Sequence, residues 1–258
     1  MKLTPLKISD YKRAGRKIAM LTVYDYVGAR ILDEVGIDVL LVGDSLGNVV
    51  QGKSTTLPVT LDEIIYHAEI VSRAVRRALV VVDLPFPFCQ LGADDAIRAA
   101  ARIFKETEAD AVKVEGGSNR AATIAALVDA GIPVMGHCGL LPQNVHQAGG
   151  FFIQRQREEL LRDVKAIEAA GAFAILIECL TAEIAKEATE VLNVPTIGIG
   201  SGSDCDGQVL VFHDIFGYLP PEKERPPKHV KQYANLKAII TEATKNYIND
   251  VHNSTFIV

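Results

Sequence analysis

The chain has 258 residues, 48% hydrophobic and 23% charged. That is ample apolar material for a packed core, and it excludes low-complexity disorder and collagen-like architecture. Lysine and arginine total 27 against 32 aspartates and glutamates, giving a net charge of −5, and there is no tryptophan. A mildly acidic chain poor in aromatics is a poor nucleic-acid binder, so small molecules and other subunits are the expected partners.

The four cysteines, Cys89, Cys138, Cys179 and Cys205, form no CxxC pair. Reduced thiols are therefore expected. Residues 1–17 contain no secretory h-region, and no apolar run approaches the roughly 18 residues of a membrane span. These observations lead to the expectation of a cytoplasmic protein without membrane contact.

Along the chain, strand-like runs alternate with helix-like runs. Apolar, β-branched runs occupy 18–24 and 37–43. A helical stretch at 62–75 starts from Thr60 with Glu63 three residues on, the pattern of a capping box. Further strands are expected at 78–83, 111–115, 132–137, 172–178 and 194–200, with helices at 93–108, 119–130, 158–170 and 182–192. Continuous rather than alternating hydrophobicity means both strand faces are buried, as in parallel sheets. Gly36, Gly131 and Gly171 stand where left-handed helix caps belong.

An eighth strand at 208–213 is ambiguous. Only residues 201–207 separate it from the seventh, whereas a parallel crossover usually takes a dozen or more. Either the seventh helix is reduced to a turn or this segment is itself a helix; a barrel with one irregular connection is favoured. Residues 220–228 read as a loop and 229–249 as a terminal helix with Val230, Tyr233, Leu236, Ile240 and Tyr247 near one face. No repeat or linker marks a second domain. The expected architecture is a single (βα)8 TIM barrel over 1–258, with its core at 18–217 and a C-terminal loop and helix at 218–258.

In such folds ligands bind at the carboxyl ends of the strands. The candidate ends are Tyr24-Asp25, Gly43-Asp44-Ser45, Asp83, Lys113 with Glu115, His137, Glu178, and Gly198-Ile199-Gly200. Asp44, Asp83 and Glu115 would converge on one rim, and hard oxygen ligands suit Mg²⁺. Asp44 and Asp83 are alternatively caps of helices or turns. Lys113 is a Schiff-base nucleophile, a fixed positive charge or an ion-pair partner. Glu178 is a general base or a carboxylate satisfying a helix start. His137 is a hydrogen-bonding orienter or a satisfied core histidine. Cys179 reads as inert packing. The glycine-rich run from Gly198 to Gly202 is a weak phosphate-loop signal, since glycines also serve tight turns.

Ordered blocks of the sequence resemble the ketopantoate hydroxymethyltransferase family. They include Leu21-Thr22-Val23-Tyr24-Asp25, Val42-Gly43-Asp44-Ser45-Leu46-Gly47, Asp83-Leu84-Pro85-Phe86 and Val112-Lys113-Val114-Glu115-Gly116-Gly117. Gly136-His137, Pro142-Gln143, Ile177-Glu178-Cys179, Ile197-Gly198-Ile199-Gly200 and Asp206-Gly207-Gln208 follow, so the resemblance covers roughly 4–217. It implies a Mg²⁺-dependent barrel enzyme that transfers a hydroxymethyl group from 5,10-methylenetetrahydrofolate to 3-methyl-2-oxobutanoate, forming 2-dehydropantoate. By the same resemblance, Asp44 and Asp83 look like metal ligands, with Glu115 in the metal's shell. Ser45 and Lys113, with Asp44, Asp83 and His137, look like substrate contacts and Glu178 like the base. A homo-oligomer, in the family's usual form a decamer of stacked pentamers, is also implied.

Leu141, Phe152 and Arg155 depart from the family pattern, as do Ser203-Asp204-Cys205, all away from the metal and base positions. The competing readings are a Mg²⁺-dependent enolate-forming lyase or mutase of the phosphoenolpyruvate-mutase and isocitrate-lyase type, and a non-catalytic relative. The first lacks the lyase cysteine motif here; intact Asp44, Asp83 and Glu178 speak against the second.

Overall fold

The computed structural model describes residues 1–150, 152–220, 223 and 225–255. The chain forms two compact units, Met1–Val209 and Leu210–Val258. Its strands are β1 (Ile18–Thr22), β2 (Val39–Val42), β3 (Leu79–Asp83), β4 (Ala111–Glu115), β5 (Val134–Gly139), β6 (Ala174–Glu178), β7 (Thr196–Ile199) and β8 (Gly207–Leu210). They close into a barrel in sequence order through parallel pairs.

The helices are α1 (Pro5–Arg13), α2 (Tyr26–Glu34), α3 (Leu46–Val49), α4 (Leu61–Ala74), α5 (Ala93–Glu106), α6 (Ala121–Asp129), α7 (Val145–Ala148), α8 (Arg157–Ala169), α9 (Ala182–Val191), α10 (Phe212–Ile215) and α11 (Leu236–His252). The capping box at α4 is formed: Thr60 Oγ1 accepts the Glu63 N–H and the Glu63 carboxylate accepts the Thr60 N–H.

The irregular connection lies between β7 and β8. No helix spans it among the described residues; Gly200 and Gly202, both at positive φ, turn the chain. The Ser201 hydroxyl, buried, bonds the backbone of Ile177, Ile199 and Leu180. That hydroxyl is committed to holding β6 and β7, which explains this serine without a phosphate. The eighth strand is shorter than expected, because 212–215 turns into α10.

Ahead of the barrel, residues 5–13 form a helix, α1, capped by Thr4 with Pro5 at its start, which the sequence reading did not assign. Its Ile8 and Tyr11, with Leu3, pack in one cluster with Ile18, Met20, Val39, Leu79, Ala111 and Met135, so α1 plugs the barrel floor. The terminal helix is 236–252 rather than 229–249. Asn235 caps it by accepting the Ala238 N–H. The preceding N–H groups of Tyr233 and Ala234 donate to Ile215 O, and that of Leu236 donates to Phe216 O. Val230 and Tyr233 therefore precede the helix. Of the expected 220–228 loop, Pro221, Glu222 and Glu224 lie outside the described residues.

Alternate strand residues face inward, so the interior is a stack of layers. Near the floor the inward positions are Ile18, Met20, Val39, Leu79, Ala111, Met135 and Ala174. Two positions further along the same faces stand Val81, Lys113, His137 and Leu176, and two beyond those Asp83, Glu115 and Glu178. One periodicity thus leads from a hydrocarbon floor to an ionisable mouth.

Candidate active site at the barrel mouth

Asp83 stands in register with Lys113 across β3 and β4, and Glu115 with His137 across β4 and β5. Asp44 follows β2. The tight turn there requires Gly43, since a Cβ would lie 2.9 Å from Ser45 Oγ and 3.3 Å from Asp83 Oδ2. Asp44, Asp83, Lys113, Glu115 and His137 are each at most 4% exposed. Lys113 Nζ is 3.2 Å from Asp83 Oδ1, 3.7 Å from Glu115 Oε1 and 3.1 Å from His137 Nδ1. Since an ammonium only donates, a neutral His137 ring in this contact carries its proton on Nε2. Nε2 faces Glu178 Oε2 at 3.2 Å. Lys113 is thus an ion-pair partner within the cluster and His137 a bridge from Lys113 to Glu178.

Neither Asp44 nor Asp83 caps a helix, but Asp83 Oδ2 accepts the Asp44 N–H at 2.9 Å and so also steadies the turn after β2. Glu178 ends β6, four residues before α9 begins at Ala182, so it is not a helix-start carboxylate. Asp25 is the true cap, accepting the Gly28 N–H at the start of α2.

Three buried carboxylates face one buried ammonium, leaving two negative charges in excess. Such an excess is costly out of water unless a proton or cation compensates it. Burial, then Glu115 and Asp83, pushes the Asp44 carboxyl up to about 8. Burial likewise raises Asp83 despite Lys113 and the Asp44 N–H. Burial also opposes ionisation of Glu115, but Lys113 and His137 outweigh it and hold its carboxyl low. Burial opposes the Lys113 charge, yet Asp83, Glu115 and Asp44 raise its pKa and keep it cationic. His137 is raised: burial and Lys113 work against the imidazolium, and Glu115 and Glu178 outweigh them.

Asp83 Oδ1, Glu115 Oε1 and His137 Nε2 are buried without a hydrogen bond; the two oxygens have only their ion pairs with Lys113 and, for Glu115, His137, and the nitrogen only its 3.2 Å approach to Glu178. Among the described residues no three His, Cys, Asp or Glu side chains form a ready metal cage. Mg²⁺ needs none, because it binds through one or two carboxylates, waters and substrate oxygens. The charge excess and the orphaned carboxylate oxygens fit a hard dication.

Several residues at the mouth have no assigned role in the sequence reading. Tyr24 shares a hydrogen bond with Ser45 Oγ (2.7 Å), and burial raises its phenol well above the ordinary value. His67 Nδ1 meets Tyr24 O at 2.7 Å. Gln143 bonds both Asp44 and Glu115. Tyr24 and Gln143 lie in the blocks that carry the family resemblance, which is the signal that could have found them. Cys179, after Glu178, holds a left-handed backbone (φ 54°), and burial followed by Glu178 pushes its thiol to about 11. That shift favours the neutral thiol over the nucleophilic thiolate, in keeping with a packing role. Of the departing positions, Phe152 is exposed, Leu141 lines cavities outside the carboxylate cluster, and Phe151 beside them lies outside the described residues.

A family described as ketopantoate hydroxymethyltransferase matches residues 2–257. The chain belongs to that family. It is 52% identical over 255 residues to the 3-methyl-2-oxobutanoate hydroxymethyltransferase of Rhodopirellula baltica, covering 99% of this chain and 94% of the relative. It is 48% identical over 262 residues to the enzyme of the same name from Prosthecochloris aestuarii, covering 98% and 94%. Among solved structures, phosphoenolpyruvate phosphomutase of Streptomyces platensis subsp. rosaceus superposes with a TM-score of 0.65 at 17% identity, covering 98% of this chain and 88% of that one. A 2,3-dimethylmalate lyase of the PEP mutase/isocitrate lyase superfamily gives 0.63 at 15%, covering 98% and 89%. At that identity the mutase and lyase share the barrel with this family member and nothing finer. No helix among the described residues is long and apolar enough to cross a membrane.

Proposed function

We propose that this chain transfers a hydroxymethyl group from 5,10-methylenetetrahydrofolate to 3-methyl-2-oxobutanoate, giving 2-dehydropantoate. The observation that carries the reading is the inward cluster of Asp44, Asp83, Lys113, Glu115, His137 and Glu178 at one end of the barrel, in a chain about half identical to relatives of that name.

Asp44 and Asp83 hold Mg²⁺, with Glu115 beside them. When bound, the dication supplies Lewis-acid stabilisation of negative charge on the keto oxygen of the 2-oxo acid. Lys113, kept charged by its carboxylate neighbours, adds a fixed positive charge to the same site. Ser45, oriented by Tyr24, contacts the substrate. Glu178, 17% exposed and the most accessible carboxylate of the cluster, takes the proton from C3. His137 positions Glu178 through the 3.2 Å contact with Oε2. Water hydrolyses the methylene unit to formaldehyde, breaking its two C–N bonds and releasing tetrahydrofolate; the carbon nucleophile then forms its C–C bond to the formaldehyde carbon, whose oxygen takes up a proton and becomes the hydroxyl. Lys113 needs no Schiff base, and its place among carboxylates favours the charged form over a nucleophilic amine.

The setting belongs to the same proposal. The segment from Leu210 onward is an extension of a one-domain barrel, since α11 buries none of its own residues and offers no core. The enzyme works in the cytoplasm as a homo-oligomer, the exposed Ile239, Ile240, Tyr247 and Ile248 of α11 fitting coverage by another copy. Sedimentation checks the last point; a monomer at working concentration refutes it.

The purified chain with Mg²⁺ and both substrates should form 2-dehydropantoate. In D2O, without folate, it should exchange the C3 hydrogen of 3-methyl-2-oxobutanoate. Glu178→Gln should slow that exchange by about 10²- to 10⁴-fold, the size of a lost general base, while Mg²⁺ binding persists. Exchange surviving in Glu178→Gln refutes the base assignment; no product and no exchange from the folded, metal-loaded chain refutes the function.

A further inference from the structure

Gln143 lies just after β5, outside the inward periodicity, and its side chain is among the most constrained at the mouth. It is 4% exposed. Its Nε2 donates to Asp44 Oδ2 at 3.0 Å and to Leu84 O at 3.1 Å. The Leu84 carbonyl can only accept, which fixes the nitrogen end of the amide. Its Oε1 accepts from Gln90 Nε2 at 3.1 Å, and its backbone N–H donates to Glu115 Oε2 at 3.1 Å. One residue therefore ties the turn after β2, the end of β4 and the segment after β3 together.

We propose that Gln143 is a positioning residue that sets the carboxylates of Asp44 and Glu115 for the dication, itself held by Gln90. This rests on the function proposed above. Asp44 lies in the turn after β2, so no ladder hydrogen bonds fix its carboxylate. Gln143 engages one oxygen, Oδ2, and so sets the plane of the group. For Glu115 the backbone N–H occupies Oε2, which leaves the orphaned Oε1 toward Lys113 and the cluster. A neutral amide suits this position. It compensates part of the excess negative charge by hydrogen bonding, yet brings no second cation to compete with Mg²⁺ as a lysine would. Gln143 also lines a cavity of about 360 Å³ with Leu57, Phe86 and Arg120, so its other side faces space beyond the carboxylates.

The test is Gln143→Met, which keeps length and bulk but removes both side-chain donors. Titration with Mg²⁺ alone, read by calorimetry, should show affinity about 10- to 100-fold weaker than wild type, the usual effect of losing such a supporting group. C3–H exchange should fall in parallel while the KM for methylenetetrahydrofolate stays unchanged. A packing role alone would lower the melting temperature and leave Mg²⁺ affinity of the folded protein unmoved, and that result overturns the proposal. Gln90→Met removes only the distant bond and should weaken Mg²⁺ in the same direction by less. Should Gln143→Met not fold, unchanged Mg²⁺ affinity in Gln90→Met overturns the proposal. Wild type that binds no Mg²⁺ refutes the site reading as a whole, whereas wild-type binding that Gln143→Met retains refutes only the role of Gln143.

Discussion

Both ends of this barrel bury carboxylates, and the two ends treat them differently. At the floor, Asp33 accepts the N–H groups of Arg76, Arg77 and Ala78. Asp38 accepts the Ala19 N–H and pairs with Arg16 and Arg77. Asp206 pairs with Lys12 and accepts the Thr196 N–H. These carboxylates tie strand starts to their neighbours and have backbone donors or cations at hand. At the mouth, Asp83 and Glu115 also accept one backbone N–H each, but they and Asp44 share the single ammonium of Lys113, each of the two keeps a buried oxygen without a hydrogen bond, and Asp44 is pushed up to about 8. Burial alone therefore does not mark a functional acid. What marks it is burial with the compensation left incomplete, since a structural site gains nothing from leaving charge unsatisfied.

The largest expected effect breaks the mouth. Lys113→Met removes the ammonium among three carboxylates and should destabilise the metal-free protein by about 3–5 kcal/mol, the cost of orphaning one side of a buried pair. Urea denaturation with and without Mg²⁺ measures it. Added Mg²⁺ should recover more stability in the variant than in wild type, because the dication then supplies the missing positive charge. Equal Mg²⁺ effects in the two proteins contradict the charge account.

The sequence disclosed much of this contrast. Continuous apolar runs ending in polar residues foretold the parallel barrel, its one irregular crossover and the strand-end candidates Asp83, Lys113, Glu115, His137 and Glu178, because strand length and a change of polarity are both local properties. The floor was less legible. Helix α1 has only Ile8 and Tyr11 to pack, with Leu3 just ahead of it, too short an apolar stripe to announce a plug. The start of α11 was misplaced because the N–H groups of Tyr233 and Ala234 donate back to Ile215 O and that of Leu236 to Phe216 O, a tertiary fact invisible to helical periodicity. Gln143 escaped notice as a site residue because it is uncharged and lies off the strands; its importance is in four hydrogen bonds to groups distant in sequence.

A second variant separates the two ends from the other side. Ile8→Ala leaves a cavity where α1 meets the floor, at a position with no exposure. It should cost about 3 kcal/mol. The C3–H exchange rate per folded molecule should match wild type, since Ile8 packs with the apolar floor layer. Calorimetric unfolding gives the first quantity and exchange at low temperature the second. A loss of exchange comparable to that in Glu178→Gln would mean that floor and mouth are energetically one region.

The smallest effect sharpens the contrast between satisfied and unsatisfied acids through pH. Burial disfavours the Asp33 carboxylate, but the three backbone N–H groups of Ala78, Arg76 and Arg77 outweigh it and hold its pKa below the ordinary value. A depressed folded-state pKa stabilises the fold above the unfolded value of about 3.9 and loses that stabilisation as pH falls through the folded pKa. Asp33→Asn keeps one acceptor oxygen but turns an N–H group toward a backbone donor, and should cost about 2 kcal/mol at neutral pH. The stability gap between wild type and variant should stay flat from pH 7 to about 5 and narrow below about 4. Urea unfolding along that range reads it directly. A gap that widens on acidification would mean that Asp33 is held protonated, the condition expected of an undercompensated acid such as Asp44, and the distinction between the two ends of the barrel would fail at its best-satisfied member.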